Sequence, residues 1–313
     1  MPVFLVIVLG WCLKKIGIIN DAFAKAGDKY VFKCALPISL FNSISSMDLY
    51  SDFKLSFFLF CAGFTCVMFL GVWALSYVFI KDKRLIGAFA QGSTRSSAAL
   101  LGVAFAVSIY GNSGMVPMMI VAAVPLFNVF AVLILIFSPH VDENGNLIEE
   151  EKVSGWPVIK KTLIGIATNP IILGIVVGFP FALFKIELPV MITKTLSSVG
   201  GTASPVALIV IGASFSTGEA ISRLKPALVS SLIKLVILPL AAIPIAAAMG
   251  FTGSEMVAIL IMVGSPTTVA SYIMAKNMHA DAALSSNTIV ISTLLSSVTI
   301  TFWIFILKAF NLI

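Results

Sequence analysis

Charged residues are scarce in this chain of 313 residues, and their scarcity excludes an ordinary soluble domain. Only 11% of the residues are charged, against about 25% in soluble proteins. Hydrophobic residues make up 59% of the chain and the mean hydropathy is +1.08. A single soluble core could not bury this much apolar surface, whereas a lipid bilayer solvates it directly. The composition therefore predicts an integral membrane protein.

The residues that metal sites and common catalytic sites require are also few. The chain has two histidines and four cysteines, with no CxxC pair and no cluster at metal-ligand spacing. No Walker loop, GxGxxG fingerprint or Ser-His-Asp set is present. We therefore expect neither an enzyme nor a cofactor, and we expect the cysteines to serve packing.

Apolar runs divide the chain into ten candidate membrane segments, since about 20 helical residues cross a bilayer core. Segments 1 to 10 cover roughly residues 1–19, 30–47, 54–80, 85–110, 115–138, 158–184, 188–216, 224–250, 254–276 and 282–310. The sequence predicts an all-α membrane protein in which a polar linker, 139–157, joins a first five-helix half, 1–138, to a second, 158–313.

Segment 1 is short for a membrane span. A helix from Pro2 to Leu13 would be about 18 Å long at about 1.5 Å per residue. We expect either that the natural start lies upstream of Met1 or that the first helix crosses only half of the bilayer.

Basic residues are distributed unevenly between alternate loops. With the N-terminus outside, 14 of the 20 lysines and arginines fall on the inside and four on the outside. Because inside loops of membrane proteins are rich in Lys and Arg, this bias places the central linker in the cytoplasm. The basic excess thus predicts a protein of the cytoplasmic membrane with lipid, and not nucleic acid, as its partner.

The two halves carry a weak internal repeat. A shift of 172 residues carries Gly92-Ser93 onto Gly264-Ser265. A shift of 168 residues superposes identical residues in two further pairs of segments: Pro2 and Pro170, Gly10 and Gly178, Pro37 and Pro205. Because each half has five segments, the second half must enter the membrane from the opposite side. Inverted repeats of this kind are typical of secondary transporters.

Polar clusters interrupt segments 4 and 9 near the middle of the membrane, at 91–97 and 264–268. Glycine loosens a helix and Pro266 removes a backbone donor, so both segments are predicted to break. Broken helices at matching places in two halves point to a substrate site, where freed N–H groups attract an anion. The alternative is that Ser and Thr bond within their own helices and aid packing.

The candidate substrate residues come from six segments. Segments 4 and 9 contribute Ser93, Arg95, Ser96, Ser97, Ser265, Pro266, Thr267 and Thr268. Segments 2 and 7 contribute Pro37, Asn42, Ser204 and Pro205, and segments 5 and 8 contribute Asn128 and Lys234. The mid-span prolines serve either the site or helix architecture alone. The buried amides of Asn42 and Asn128 fit ligand contact and interhelical bonding equally well.

Arg95 is the most unusual of these residues. An arginine inside a span costs at least about 2.5–3.5 kcal/mol, and no Asp or Glu lies in the middle of a segment to pair with it. Three roles are open: bidentate binding of an anionic substrate, capping of carbonyls of the opposing broken helix, or snorkelling towards the side of Arg84. The same question applies to Lys234. The missing acids disfavour a proton pump or a sodium–proton antiporter and favour a substrate that carries negative charge.

Short motifs in a fixed order resemble the auxin efflux carrier family. They are Pro2-Val3-Phe4-Leu5, Ala35-Leu36-Pro37, Thr94-Arg95-Ser96-Ser97, Tyr110-Gly111, Pro125-Leu126-Phe127-Asn128 and Ser265-Pro266. The family includes bacterial malonate and malate permeases and, more distantly, the plant PIN auxin carriers. The resemblance implies the fold of bile acid sodium symporters, with two inverted five-helix repeats whose broken helices 4 and 9 cross.

The resemblance also implies how the segments divide. Segments 1, 2, 6 and 7 would form a scaffold, which in PIN carriers makes the homodimer, and segments 3–5 and 8–10 a transport domain that moves against it. The expected function is a secondary active transporter or uniporter of a small carboxylate such as malate, malonate or an auxin-like acid. The alternatives are a sodium-coupled organic anion symporter of the same fold, and a channel or sensor without a transport cycle.

Overall fold

Helices make up most of the part of the chain that the computed structural model describes, which is residues 2–46, 54–98, 106, 109, 114–140, 147, 168–214 and 217–313. No extended β-strand occurs in these residues. The α-helices are α1 (Pro2–Lys15), α2 (Asp21–Tyr30), α3 (Leu36–Ser45), α4 (Leu55–Phe79), α5 (Ile86–Thr94), α6 (Val116–Phe137), α7 (Pro170–Leu183), α8 (Val190–Gly201), α9 (Ala203–Ala213), α10 (Thr217–Leu232), α11 (Leu238–Ala248), α12 (Ser254–Gly264), α13 (Ala270–Asn277) and α14 (Ala282–Ala309).

Five helical stretches are long and apolar enough to cross a membrane. They are Leu55–Phe79, Val116–Phe137, Val190–Ala213, Ile221–Ala248 and Ala282–Ala309, and Pro170–Leu183 and Ser254–Gly264 are shorter apolar helices. Large apolar side chains on these helices are exposed, such as Val67 at 67% and Phe305 at 69%. Such surfaces suit lipid, so the architecture is that of an all-α protein with several membrane-spanning helices.

The predicted segments agree best with the structure where they are uniformly apolar. Helices α4, α6 and α14 begin and end within about one residue of predicted segments 3, 5 and 10. The start of segment 2 was wrong: the helix begins at Asp21, because the side chain of Asn20 accepts a bond from the N–H of Phe23 and starts it upstream of the apolar run. Most of the linker 139–157, the boundary at 110–113 and residues 158–167 of segment 6 lie outside the described residues.

Two helical segments contain a π-helical turn ahead of a proline. Val31–Ala35 joins α2 to α3, and Ile233–Ile237 joins α10 to α11. Pro37 and Pro239 stand at the first turn of the helices that follow. Because proline has no N–H, the carbonyl one turn earlier loses its helical partner and the ladder shifts register. These segments therefore cross the protein as helices with a local irregularity rather than as straight rods.

Helices of the first half of the chain pack against helices of the second half. Helix α1 lies along α9, and α3 lies along α7. A Cβ placed on Gly10 would lie 2.3 Å from the carbonyl oxygen of Ile209, and one on Gly178 would lie 3.1 Å from that of Phe41. A shift of 168 residues carries Gly10 onto Gly178 and Phe41 onto Ile209. The two close helix contacts are therefore equivalent under the repeat found in the sequence.

Buried apolar residues form two cores. One is built from α4, α5, α6, α11, α12 and α14, with Phe57, Phe127 and Met262 among its fully enclosed side chains, and contains no described residue of α1, α2, α3, α7, α8 or α9. The other joins α1, α2, α3, α7 and α9 to faces of α5, α6, α10, α13 and α14. One group of helices thus has an interior of its own, and the second core lies between it and the rest.

Candidate functional site

The two segments predicted to break do so, and they meet at their breaks. Helix α5 ends at Thr94 and α12 ends at Gly264, each followed by extended backbone. The N–H of Ser97 donates to the carbonyl oxygen of Pro266 at 3.0 Å. The interrupted backbones therefore satisfy one another inside the protein, as backbone at membrane depth must.

Side chains from each break also bind to the opposing helix. The Thr267 hydroxyl donates to the carbonyl oxygen of Gly92 at 2.7 Å. The Ser96 hydroxyl donates to the carbonyl oxygen of Ile261 at 3.1 Å and is in hydrogen-bond contact with the hydroxyl of Ser265. We call this arrangement, formed by residues 91–97 and 261–268, the crossing.

A fully buried lysine lies on one side of the crossing. Lys234, in the π-helical turn before α11, has 0% exposure. Its ammonium donates to the carbonyl oxygen of Thr94 at 3.0 Å and to that of Met262 at 3.4 Å. Both are among the last carbonyls of their helices, which have no partner within the helix. The carbonyl of Met262 lacks a helical partner for a second reason, because Pro266, four residues later, has no N–H to donate to it.

A cavity of about 130 Å³ borders the crossing and has no contribution from Lys234 to its lining. Its walls come from segments 2, 4, 5, 7 and 9, and aliphatic and aromatic side chains such as Val31, Leu40 and Phe127 form much of its surface. The polar residues that line it are Ser39, Arg95, Ser96, Ser97, Asn128, Ser204 and Thr268. The cavity thus combines apolar walls with a few convergent polar groups, which is the usual character of a small-molecule site.

Arg95 supplies the positive charge of this cavity. It is the first residue after α5, has 4% exposure, and donates from Nη2 to Oδ1 of Asn128 at 2.5 Å. Its Nη1 contacts the sulfur of Met274, a weak acceptor. Within the described ranges no carboxylate pairs with Arg95. Since a guanidinium has five N–H donors, it keeps donors for a further acceptor.

Comparison with known proteins identifies the kind of protein to which this cavity belongs. Residues 1–304 match the membrane transport protein family. The chain belongs to this family. An uncharacterized transporter of Methanocaldococcus jannaschii is 23% identical over 316 residues, which cover 97% of this chain and 96% of the relative. An uncharacterized transporter of Methanothermobacter thermautotrophicus is 23% identical over 311 residues, which cover 97% of this chain and 95% of the relative.

Membership confirms the resemblance to the auxin efflux carrier family that the sequence motifs indicated. The chain is therefore a multi-pass membrane protein and a transporter. The matched region runs through both halves, so the crossing and the cavity lie inside the part of the chain that the family shares.

A helix start in this transport protein also faces the cavity. Helix α13 begins at Ala270, and Thr268, Val269 and Ala270 all line the cavity wall. The N–H groups of Ser271 and Tyr272 already donate to the carbonyl oxygens of Thr268 and Val269, but the helix dipole still places partial positive charge at this end. Together with Arg95, this end makes the cavity attractive to an anion.

The structure brings some of the predicted site residues to the cavity and places others elsewhere. Those that line it are Arg95, Ser96, Ser97, Asn128, Ser204 and Thr268. Those in the crossing or behind it are Ser93, Ser265, Pro266, Thr267 and Lys234. The remaining three belong to the surrounding helices: Pro37 packs its backbone on Gly174, Asn42 accepts hydroxyl bonds through its carbonyl, and Pro205 is exposed.

Sequence reasoning missed two contributors. Ser39 lines the cavity from α3, and Met274 contacts the Arg95 guanidinium from α13. Ser39 lies two residues after the mid-span Pro37, so the irregularity of segment 2 was an available signal. Met274 carried no such signal, because a methionine in an apolar helix looks like any other core residue.

Proposed function

We propose that this membrane transport protein carries a small organic anion, a carboxylate such as malate, malonate or an auxin-like acid, across the cytoplasmic membrane by alternating access. It would act as a secondary active transporter or a uniporter. One observation carries this proposal: the buried guanidinium of Arg95 lines a cavity while its described partners are an amide and a thioether. A carboxylate would neutralise the charge of the guanidinium and accept two parallel hydrogen bonds from its N–H groups.

We further propose that the fold consists of ten transmembrane helices in two inverted repeats, 1–138 and 158–313, with the linker 139–157 in the cytoplasm and the N-terminus outside. Helices α1 and α7, 168 positions apart in sequence, both begin at a proline and have 14 residues. The reciprocal contacts of Gly10 and Gly178 support the same symmetry. The uneven distribution of basic residues supports the orientation.

The proposed moving parts are a scaffold of segments 1, 2, 6 and 7 and a transport domain of segments 3–5 and 8–10. The separate core of α4, α5, α6, α11, α12 and α14 supports a transport domain that moves as a unit. The cavity lies where residues of both groups meet, so sliding one group past the other would change the side from which it opens. Apolar residues exposed on α7, such as Leu173 and Val176, are available for lipid or for a homodimer through the scaffold.

A binding screen followed by counterflow tests the proposal. Melting temperature would be measured with a panel of mono- and dicarboxylates, each paired with its uncharged amide, for instance malonate with malonamide. A ligand at about 100 times its Kd adds about 2.7 kcal/mol of stability by mass action. We expect an acid, and not its amide, to raise the melting temperature.

The acid that binds would then be tested in proteoliposomes. Preloaded unlabelled acid should drive uptake of the labelled acid through a carrier, but not through a simple pore. Stabilisation by no acid in the panel, or uptake that ignores preloading, would contradict the carrier.

A further inference from the structure

Lys234 lies where the carbonyl ends of two half-helices converge. Its ammonium bridges Thr94 of α5 and Met262 of α12, which belong to the first and second halves of the chain. Each helix C-terminus carries a partial charge of about −0.5, so two of them together amount to about one negative charge. One ammonium neutralises that charge in a place with no solvent exposure.

The partners of Lys234 are of the kind that a monovalent cation would choose. Both are backbone carbonyl oxygens, and no carboxylate in the described ranges pairs with the ammonium. In transporters built from broken helices, unwound carbonyls and half-helix C-terminal ends coordinate the coupling sodium or proton. Here the ammonium of Lys234, a side chain of the protein, donates to such carbonyls in the place of a bound cation.

Lys234 also lies apart from the cavity. The residues that line the cavity include neither Lys234 nor its two partners, Thr94 and Met262, whereas Arg95 lines the cavity and bonds to Asn128. A substrate in the cavity would therefore meet Arg95 and not Lys234. The two buried cations at the crossing therefore have separate partners.

We propose that Lys234 is a tethered counter-ion that takes the place of a bound monovalent cation at the crossing. It is a positioning residue: it holds the two helix ends together and thereby holds Arg95, the residue after Thr94, at the cavity wall. Because the cation is covalently attached, the crossing needs no sodium ion to stay assembled. The counter-ion role is independent of the proposed substrate, whereas sodium-independent transport rests on the proposed carrier function.

Cation rescue of the purified full-length protein tests this role. Lys234→Ala removes the charge and leaves space, whereas Lys234→Met removes the charge and fills the space. Melting temperatures would be compared in sodium chloride and in choline chloride at equal ionic strength, because choline is too large for the vacated position. We expect sodium to raise the melting temperature of Lys234→Ala by several degrees and to leave wild type and Lys234→Met unchanged.

A neutral donor provides the matched control. The indole N–H of Trp303 donates to the carbonyl oxygen of Leu235 at 2.9 Å, next to Lys234 in the chain. Trp303→Phe frees a buried carbonyl without removing charge, so sodium should not restore its stability. This comparison separates a counter-ion from an ordinary buried bond.

Two results would overturn the proposal. One is a Lys234→Ala protein that melts at the same temperature in both salts, and the other is a wild-type protein that sodium stabilises relative to choline. If Lys234→Ala yields no folded protein, the melting temperatures of the wild-type protein in the two salts decide the proposal. Neither measurement uses a carboxylate, so failure of the proposed function would appear separately, in the acid screen.

Discussion

The Nη2 of Arg95 donates to Oδ1 of Asn128 at 2.5 Å, between residues 33 positions apart in the chain. The amide nitrogen of Asn128 donates in turn to the carbonyl oxygen of Val124 at 2.9 Å, which orients the amide so that its oxygen faces the guanidinium. Both side chains line the cavity. The amide thus aligns the arginine without neutralising its charge, which leaves that charge to a ligand.

Substitution of Arg95 should remove anion binding while the protein stays folded. We expect Arg95→Ala to abolish the melting-temperature increase caused by the acid that stabilises wild type. Arg95→Lys keeps the charge but loses the planar pair of donors, so its affinity should fall at least about tenfold, or about 1.4 kcal/mol. Arg84→Ala is the control, since Arg84 pairs with Asp82 outside the cavity. Wild-type affinity in Arg95→Ala would remove Arg95 from the site.

A methyl group at the helix contact between α1 and α9 should destabilise the protein. A Cβ on Gly212 would lie 2.0 Å from the carbonyl oxygen of Ile7, and backbone cannot yield as a side-chain end can. We expect Gly212→Ala to cost about 1–3 kcal/mol, as overpacking does. At Gly63, in α4, a Cβ would meet nothing within 4 Å, so Gly63→Ala should be neutral or slightly stabilising. Equal melting temperatures for the two variants would contradict the close packing.

Loss of the buried indole N–H of Trp303 should lower the stability of the protein more than loss of an exposed indole N–H. Pro239 cannot donate to the carbonyl of Leu235 four residues earlier, and Trp303 supplies the bond instead. Trp303→Phe should therefore lower stability by about 1–3 kcal/mol, the cost of an unsatisfied buried group. Trp11→Phe is the control, because Trp11 is 41% exposed. Equal decreases in melting temperature for Trp303→Phe and Trp11→Phe would contradict a stabilising role for the buried bond.

A covalent link between the proposed scaffold and transport domain should stop transport. Lys276 of α13 forms an ion pair with Asp28 of α2, and it donates to the Ser214 hydroxyl after α9 at 3.2 Å. We expect Asp28→Cys with Lys276→Cys, joined by a reducible methanethiosulfonate linker, to block counterflow until a reductant is added. The four native cysteines would first be replaced by serine.

A second link within the scaffold gives the comparison. Tyr30 and Thr202 share a hydrogen bond of 2.8 Å, and both belong to the scaffold segments. Cysteines there, joined by the same reagent, should leave counterflow intact. Continued transport through the linked Asp28→Cys and Lys276→Cys protein would mean that these helices do not separate during the cycle.

Local features of the sequence predicted most of the helix framework. Long apolar runs located α4, α6 and α14 closely, because helix length and hydropathy are properties of a continuous stretch. The breaks at 91–97 and 264–268 were predictable for the same reason, since glycine and proline weaken a helix wherever it packs. The polar start of segment 2 was missed because a cap at Asn20, and not hydropathy, begins that helix.

Arg95 and Lys234 show what the sequence by itself determined and what it could not. Both were recognisable as costly cations inside apolar segments, because charge and surrounding hydropathy are properties of a short stretch of sequence. Only the tertiary structure gave them different partners: Asn128 and the cavity for Arg95, and carbonyls 140 and 28 positions away for Lys234. Which acceptor a long side chain reaches depends on how distant helices pack, and that packing is absent from any short stretch of sequence.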